Sequence, residues 1–395
     1  MKKTALLLTA IFLAGVNVTA QKQNVTLAES KLHSKTPDLH GAQDAILPAL
    51  NNPATNRQTN TWFLAGEIYS AIATAQMLRP DADNSIMAES ADSALNYYIV
   101  ADSLDQLPDN TGKKKSRLHA AIIKKVKGLQ AAFVNGGDYY YEQNEYRKAL
   151  HMYETYLAYQ SIPCMKGLGL EKDTLITQIT YFCGLCGTQM KEPAAAVTYY
   201  EKVKDLTDSK IIYARLCDDY AALHDTVNMI RINELAAVKF PDESVYVRNL
   251  VKYNIATNRI DTAFRYLERA IALEPKNSSL WNTRGLILES KNQIDNAENC
   301  FRNALKLEIT FSHAFGNLGR ITYKKAVIMA SKAGPPSNNE EESPEKIRAD
   351  ELFETARLCY ETALSLGPAD SARKEYMSAL QIIYNKLGVS GNYKQ

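Results

Sequence analysis

The stretch that decides the fold is residues 278–311, SSLWNTRGLILESKNQIDNAENCFRNALKLEITF. Counted from its first residue, it has Trp281 at position 4, Gly285 at position 8, Ala297 at position 20 and Phe301 at position 24. Residues three or four apart share one face of an α-helix, and Gly or Ala at a crossing lets two helix backbones approach closely. The stretch therefore predicts two helices packed against each other across a short turn.

The same pattern recurs every 34 residues on both sides of this stretch. Matching residues one and two periods earlier, and in the unit that follows, are Val251, Ala263, Leu267, Ala270, Pro275, Tyr213, Cys217, Tyr220, Ala236, Pro241, Phe315, Leu318, Gly319, Ala356, Tyr360, Ala363 and Pro368. Further units begin near Thr59, Gln130 and Thr177. The residues expected at the structural positions of the repeat are Trp62, Gly66, Tyr69, Gly137, Ala149, Ala263, Trp281, Gly285, Ala297, Gly319 and Ala356.

This pattern resembles the tetratricopeptide repeat (TPR), a helix-turn-helix unit that stacks into extended arrays. The resemblance implies an all-α fold, an α-solenoid whose repeats form a right-handed superhelix. It also implies a scaffold that binds a protein or peptide, since such arrays are seldom enzymes. We therefore expect a non-catalytic protein without a cofactor.

Composition and the repeat together predict the order of segments along the chain. The predicted segments are a signal peptide at 1–20, a disordered leader at 21–36, an N-terminal helix plus a divergent repeat with an insertion at 37–128, a repeat array at 129–368, and a C-terminal capping helix with a tail at 369–395. Within the array, residues 331–350 are rich in Pro, Asn and Glu, a composition that cannot form a packed core. We expect a mobile loop there.

The first residues have the features of a secretory signal peptide. Lys2 and Lys3 precede an apolar run from Ala5 to Val16, and small residues lead up to Ala20 as a cleavage site. The apolar run is too short to span a bilayer, and no later segment is a candidate for a transmembrane helix. The sequence predicts export to the periplasm or the extracellular space.

Charge and motifs argue against several functional classes. The formal net charge is +2, so no strong field attracts the chain to nucleic acid. The chain lacks G-x-S-x-G, P-loop, G-x-G-x-x-G and H-E-x-x-H sequences, which indicates no catalytic or metal site. A catalytic use of Glu67, Asp138 and Glu142 remains a distant alternative, because carboxylate pairs have no fixed spacing.

Six cysteines raise the question of disulfides or redox chemistry. Cys183 and Cys186 form a C-x-x-C sequence, but it lies inside a predicted helix, whereas redox motifs of this type begin a helix. Cys300 and Cys359 occupy equivalent positions of successive units, which packed helices keep beyond disulfide reach. We interpret these cysteines as small packing residues, with a regulatory disulfide as the minor alternative.

The TPR resemblance also indicates where a partner would bind. In that family the inner surface is lined mainly by positions 2, 5, 9, 12 and 13 of the first helix of each unit. In the C-terminal half these positions predict a concave basic groove formed by Arg248, Lys252, Asn282, His313, Arg320, Tyr323 and Lys324. The groove could take an acidic peptide or a free carboxylate. The alternative is a solvated, partly paired helix face.

The corresponding positions of the N-terminal half have a different character. They hold acids, amides and aromatic residues, namely Phe63, Glu67, Asp138, Tyr141, Glu142, Tyr181 and Gln189. Of these, we take Phe63 and Tyr141 as candidates for gripping an extended peptide or a sugar ring. An ordinary TPR surface has the same composition, and that interpretation stays open.

A lysine-rich stretch from Lys113 to Lys127 forms a second basic feature, with Arg117 among its members. An apolar helical stripe lies behind it. The stretch could make weak contact with an anionic envelope surface or an acidic partner. The alternative is a solvated helix face.

The function that these features favour is a protein–protein interaction scaffold of the bacterial cell envelope. It would bind a peptide segment or helix of a partner in the concave groove. The alternative is an accessory glycan-binding protein of an outer-membrane uptake system, although the chain lacks a lipoprotein cysteine near the cleavage site.

Overall fold

The structure is a computed structural model that describes residues 22–79, 81–108, 112, 116–167, 175–333 and 343–389. The described residues form helices and connecting turns, with no β-strand among them. The predicted all-α fold is confirmed. The expected signal peptide at 1–20 lies outside the described residues.

The chain divides into two compact units at Thr226. The first unit contains α1 (22–32), α2 (Leu39–Leu50), α3 (Thr59–Met77), α4 (Asn84–Asp105), α5 (His119–Gly128), α6 (Gln130–Glu142), α7 (Tyr146–Ala158), α8 (Leu175–Gln189), α9 (Pro193–Val203) and α10 (Lys210–Ala222). The second unit contains α11 (Thr226–Lys239), α12 (Ser244–Ala256), α13 (Ile260–Leu273), α14 (Ser278–Ser290), α15 (Ile294–Leu307), α16 (Ser312–Lys332), α17 (Pro344–Ser365) and α18 (Asp370–Leu387).

Neighbouring helices pack in pairs, as the repeat predicts. The pairs are α3 with α4, α6 with α7 and α8 with α9 in the first unit, and α12 with α13, α14 with α15 and α16 with α17 in the second. A single pair leaves an apolar face uncovered, so each unit gains its core by stacking several pairs. The α-solenoid class with TPR helix pairs is confirmed.

A glycine facing an aromatic ring forms the crossing of several pairs. A Cβ on Gly66 would lie 2.6 Å from the Tyr98 ring, and a Cβ on Gly184 would lie 2.5 Å from the Tyr200 ring. Both distances are shorter than any real contact, so only glycine lets the ring rest on the helix backbone. This contact explains why positions 8 and 24 repeat together.

Most residues expected at the structural positions of the repeat are buried, namely Gly66, Tyr69, Gly137, Ala149, Ala263, Gly285, Ala297, Gly319 and Ala356. The two tryptophans differ, since Trp62 and Trp281 are only half-buried. Each indole Nε1 donates a hydrogen bond to a backbone carbonyl six residues earlier, that of Asn56 at 2.7 Å and that of Pro275 at 2.9 Å. The tryptophans therefore fix the turn before their helix as well as contributing to the core.

Five of the repeats share one conformation of the turn between their two helices. In five repeats the residue at position 15 has a left-handed backbone conformation, with φ between 56° and 61°. These residues are Asn144, Lys191, His224, Asn258 and Asn292. Asn tolerates this conformation better than most residues, which explains its use in three of the five turns. The shared turn gives the pairs a common geometry.

The leader differs from the expectation of disorder at 21–36. Residues 22–32 form α1, and its residues Ala28 and Leu32 are buried in the core of the first unit. Lys31 also pairs with Asp38 at 2.7 Å, and Asp38 caps the start of α2. Contacts of Ala28 and Leu32 with the core of the first unit therefore stabilise this segment in spite of its polar composition.

The two segments expected to interrupt the repeat, around residues 80–89 and at 331–350, contain parts of helices among the described residues. In the first, α4 already begins at Asn84, where Asp83 accepts hydrogen bonds from the backbone N–H groups of Ser85 and Ile86. In the second, α16 continues to Lys332 and α17 begins at Pro344, so the flanks of the expected mobile loop 331–350 are helical. The central part of that loop, 334–342, lies outside the described residues.

Candidate partner-binding surface

One face of α14 meets α16 in the second unit, and we call it the α14–α16 face. Asn282, Leu286 and Glu289 are four and three residues apart and so lie on the same side of α14. At one end the Asn317 side-chain amide donates to Asn282 Oδ1 at 2.8 Å. At the other end Arg320 donates two hydrogen bonds to Glu289, at 3.0 and 2.7 Å. Polar pairs thus fix both ends, and Leu286 lies between them with 40% of its surface exposed.

The charges on this face compensate one another. Glu289 accepts from both Arg320 and Lys324, the latter at 2.7 Å, and Arg320 also lies 3.5 Å from Glu375 on α18. Burial alone would raise the pKa of Glu289, but the hydrogen bonds from the two cations lower it below its ordinary value. The predicted basic groove therefore consists here of a shared carboxylate with two cations.

Arg248 on α12 is also paired. Its guanidinium donates to Glu274, which accepts from Ser244 as well. Hydrogen bonds from Ser244 and Asn277, opposed by burial and aided by Arg248, lower the pKa of Glu274. Lys252, on the same helix, is exposed and forms no ion pair with the residues that the structure describes.

The structure places the remaining groove candidates in three environments. Asn282 is buried, because its side chain bonds to the neighbouring helix. Tyr323 is half-buried with its ring 5.7 Å from that of Phe353. His313 is exposed beside Phe311. Only Asn282, Arg320 and Lys324, among the seven candidates, are joined through the α14–α16 face.

The sequence interpretation missed the apolar residues of this surface. Val245, Ile255 and Leu286 occupy family inner positions 2, 12 and 9, and they are 38%, 37% and 40% exposed. It also missed Glu289, which occupies position 12. All four residues occupy inner repeat positions, so the sequence contained the signal. They were missed because the search of those positions favoured cationic residues.

In the first unit, the two aromatic candidates belong to ring clusters. Phe63 lies 5.8 Å from the Tyr98 ring, and Glu67 on the same helix pairs with Lys125 at 2.8 Å. Tyr141 contacts the Phe182 ring at 6.4 Å, edge to face. Both candidate rings are half-buried, so each presents only part of its surface.

The lysine-rich stretch is partly neutralised. Its members on α5 include Lys124 and Lys127, which are exposed, and Lys125, which pairs with Glu67. Lys113–Lys115 lie outside the described residues. Within the described residues, no helix is both long enough and apolar enough to cross a membrane.

The six cysteines are all buried and unpaired. Burial raises the pKa of Cys186 to about 12 and also raises that of Cys183. A thiol with so high a pKa stays protonated near neutral pH and is a poor nucleophile or metal ligand. The structure thus favours a packing role for the C-x-x-C sequence.

Comparison with known proteins agrees with this architecture. A family model described as a tetratricopeptide repeat matches residues 278–308, which form α14, α15 and the turn between them. Together with the helix pairing, this match over one repeat supports a TPR protein. A fold of this type suits a protein–protein interaction scaffold. No curated protein matches the sequence.

Several solved TPR structures show partial likeness. MamA matches at 18% identity over 49% of this chain and 96% of its own, with a TM-score of 0.36. A TPR repeats protein from Bacteroides fragilis matches at 18% identity over 65% and 98%, with a TM-score of 0.28. A thermophilic TPR protein from Thermus thermophilus matches at 18% over 52% and 99%, with a TM-score of 0.32. Because these superpositions are weak, the assignment rests on the repeat and the helix pairs.

Proposed function

We propose that the protein is a non-catalytic scaffold that binds a peptide segment or helix of a partner protein on the α14–α16 face. The observation that carries this proposal is the exposed Leu286 between two interhelical polar pairs. An apolar partner side chain on Leu286 would exclude water, while a partner carboxylate would add a hydrogen bond to the exposed Lys324. The expected ligand is therefore a segment with both apolar and acidic residues.

Rigidity of the face supports this choice. Arg320, Glu289 and Asn282 are already held by contacts within the protein, so binding orders few additional side chains. Lys252 and Ile255 on α12 occupy inner positions of the preceding repeat, and we propose that the ligand extends onto them. TPR scaffolds are generally non-catalytic, and the protonated thiols provide no nucleophile.

We also propose that the scaffold works outside the cytoplasm, in the bacterial envelope or beyond it. The support is the pattern of Lys2, Lys3 and the apolar run before Ala20 in the sequence. Mass spectrometry of the protein from its native host should find Gln21 as the first residue. An intact N-terminus on the abundant form would refute export by this route.

Site-directed photo-crosslinking tests the binding proposal. A photoreactive residue at position 286 or 255 should capture a specific protein in the native host, and the same residue at position 309 should not. Ile309 is 72% exposed but lies outside the α14–α16 face, so it is a matched apolar control. The pair of substitutions Leu286→Ser and Ile255→Ser should abolish capture from a site at Lys252. Equal capture at all positions, or none with the folded protein, would contradict the proposal.

A further inference from the structure

A cavity lies in the first unit, where α3 and α5 begin and α4 ends. Its volume is about 480 Å³, within the range of roughly 300–1,000 Å³ that is usual for small-molecule sites. Leu104, Leu107 and Leu118 form the apolar part of its lining. Leu107 is 61% exposed, so a ligand in the cavity could cover apolar surface that is now in water.

The polar part of the lining consists largely of hydrogen-bond donors. Arg117 is exposed, and although its backbone N–H donates to Asp105 at 3.3 Å, its guanidinium makes no hydrogen bond or ion pair with the residues that the structure describes. The side chains of Thr59 and Asn60, at the start of α3, also line the cavity and make no hydrogen bond within the described part of the chain. A cation and two neutral donors therefore face the cavity without an acceptor.

The carboxylate in the lining is occupied by its own surroundings. Asp105 Oδ2 accepts hydrogen bonds from the Ser116 hydroxyl at 2.9 Å and from the backbone N–H groups of Leu118 at 3.0 Å and His119 at 3.1 Å. Burial alone would raise the pKa of Asp105, but these hydrogen bonds lower it below its ordinary value. The first turn of α5 thus compensates Asp105, whereas the Arg117 side chain has no anion.

We propose that this cavity binds a small amphiphile, namely a phosphate or carboxylate head joined to a short apolar chain. Arg117 would donate charge-assisted hydrogen bonds to the head, with Thr59 and Asn60 donating beside it. The chain would lie against the three leucines. A bare oxyanion would leave the leucines in water, and an uncharged apolar molecule would leave Arg117 without a partner. Binding here does not depend on the α14–α16 face.

Isothermal titration calorimetry of the full chain tests this site with hexyl phosphate and hexanoate, which carry the two kinds of head on a short chain. At least one of them should bind. Hexanol, which lacks the charge, and inorganic phosphate, which lacks the chain, should bind about tenfold more weakly or less, because each loses one set of contacts. Hexylammonium should not bind, since Arg117 would repel it.

Two substitutions separate the contacts to the head from those to the chain. Arg117→Gln should weaken binding of the amphiphile about fivefold, as for one exposed charge contact. It should also reduce the loss of affinity at high ionic strength, which a merely structural role of Arg117 would not do. Leu107→Ser should weaken binding about fivefold as well, because the chain would then cover less apolar surface.

Matched controls come from exposed residues away from the cavity. Arg373→Gln changes an exposed arginine of α18, and Leu206→Ser changes a leucine that is 68% exposed. Both should leave the affinity within about twofold, as expected for distant sites. Circular dichroism would verify that each variant keeps its helices. Binding of neither amphiphile, equal binding of hexanol or inorganic phosphate, or equal weakening by test and control variants would overturn the proposal.

Flotation with vesicles of phosphatidylglycerol and phosphatidylcholine distinguishes a lipid headgroup from a free amphiphile. If a headgroup enters the cavity, the wild type should float with the vesicles and Arg117→Gln should do so less. Lys124→Ser with Lys127→Ser, which changes two exposed cations of α5 outside the lining, should reduce flotation but not calorimetric binding. Calorimetric binding without flotation would identify a free amphiphile as the ligand.

The two binding activities can be lost separately. Leu286→Ser with Ile255→Ser should abolish partner capture on the α14–α16 face and leave hexyl phosphate or hexanoate binding unchanged. Arg117→Gln should do the reverse. Loss of both activities in either variant, with the helices intact, would show that the cavity is not an independent site and overturn the proposal.

Discussion

The two units use one repeat geometry but treat charge in opposite ways. In the first unit, Asp138 and Glu142 are exposed and have no ion pair among the described residues. In the second unit, Arg320 and Lys324 share the carboxylate of Glu289, whose side chain is 9% exposed. A charged residue at an inner position therefore keeps its full charge for a ligand only when the neighbouring helix lacks a partner for it. The repeat determines the position of the residue, and the neighbouring repeat determines how much of its charge is compensated.

The largest expected effect tests what the two units share. Gly137→Ala in the first unit would place a methyl group in steric overlap with the Tyr153 ring, and Gly285→Ala in the second would do the same with the Phe301 ring. We expect each to lower the free energy of unfolding by about 2–3 kcal/mol, the cost of overpacking a helix crossing. Urea unfolding followed by circular dichroism measures this change.

Gly319→Ala is the control for this prediction. Its Cβ would lie 3.0 Å from the edge of the Tyr360 ring, a gap that a shift of a few tenths of an ångström relieves. We expect a loss below about 1 kcal/mol. If all three variants lost the same stability, the loss could come from replacing a helical glycine as such and not from the collision with a ring. The proposed crossing mechanism would then fail.

The part of the fold that could be predicted is the part that depends on spacing within one repeat. Gly285 and Phe301 reveal a crossing because their separation alone places them on facing helices. The α1 helix could not be predicted in this way, because Ala28 and Leu32 are held by a core that other repeats supply. For the same reason the sequence indicated a basic groove at Arg320, whereas Glu289 on the preceding repeat compensates that charge.

The second prediction concerns that compensation in the second unit. Glu289→Gln leaves Arg320 and Lys324 without their shared carboxylate, and we expect a loss of about 2 kcal/mol at neutral pH, as for charged hydrogen bonds. Since the pKa of folded Glu289 is lowered, its contribution is present above the ordinary value of 4.5 and is lost as pH falls through the folded pKa. Urea unfolding of the wild type should thus show an acid-dependent loss that the variant lacks.

The exposed residue Glu351, which lies on α17, provides the control for this variant. Glu351→Gln should change stability by less than about 0.5 kcal/mol, as is usual for a surface substitution. A Glu289→Gln protein as stable as the wild type across this pH range would show that the ion pairs contribute nothing. The contrast between the units would then lose its energetic basis.

The third prediction is the opposite pH response of a carboxylate in the first unit. Burial, aided by repulsion from Asp218 and opposed by Arg215, raises the pKa of Asp219 to about 6. Its Oδ2 is buried and receives no hydrogen bond within the described residues. Ionising Asp219 therefore costs more in the folded state, and stability falls as pH rises from about 4 to about 7.

Asp219→Asn removes this cost. We expect a gain of about 1 kcal/mol at pH near 7, after allowing for solvent screening of a partly exposed group, and no gain near pH 4. Asp44→Asn, at an exposed carboxylate, should leave the stability unchanged at both pH values. Equal stability of the Asp219→Asn variant and the wild type near neutral pH would mean that relaxation around Asp219 already offsets its burial.

The smallest expected effect on stability tests whether Leu286, on the α14–α16 face, belongs to the surface or to the core. Because Leu286 is 40% exposed, Leu286→Ser should cost less than about 1 kcal/mol, close to the effect of Ile309→Ser at a more exposed site. Thermal unfolding of the two variants makes this comparison. A loss like that expected for Gly285→Ala would place Leu286 among the packing residues, and loss of partner capture would then reflect unfolding. A small loss combined with lost capture would instead separate binding from folding, because the exposed side chain would matter to the partner and hardly to the repeat.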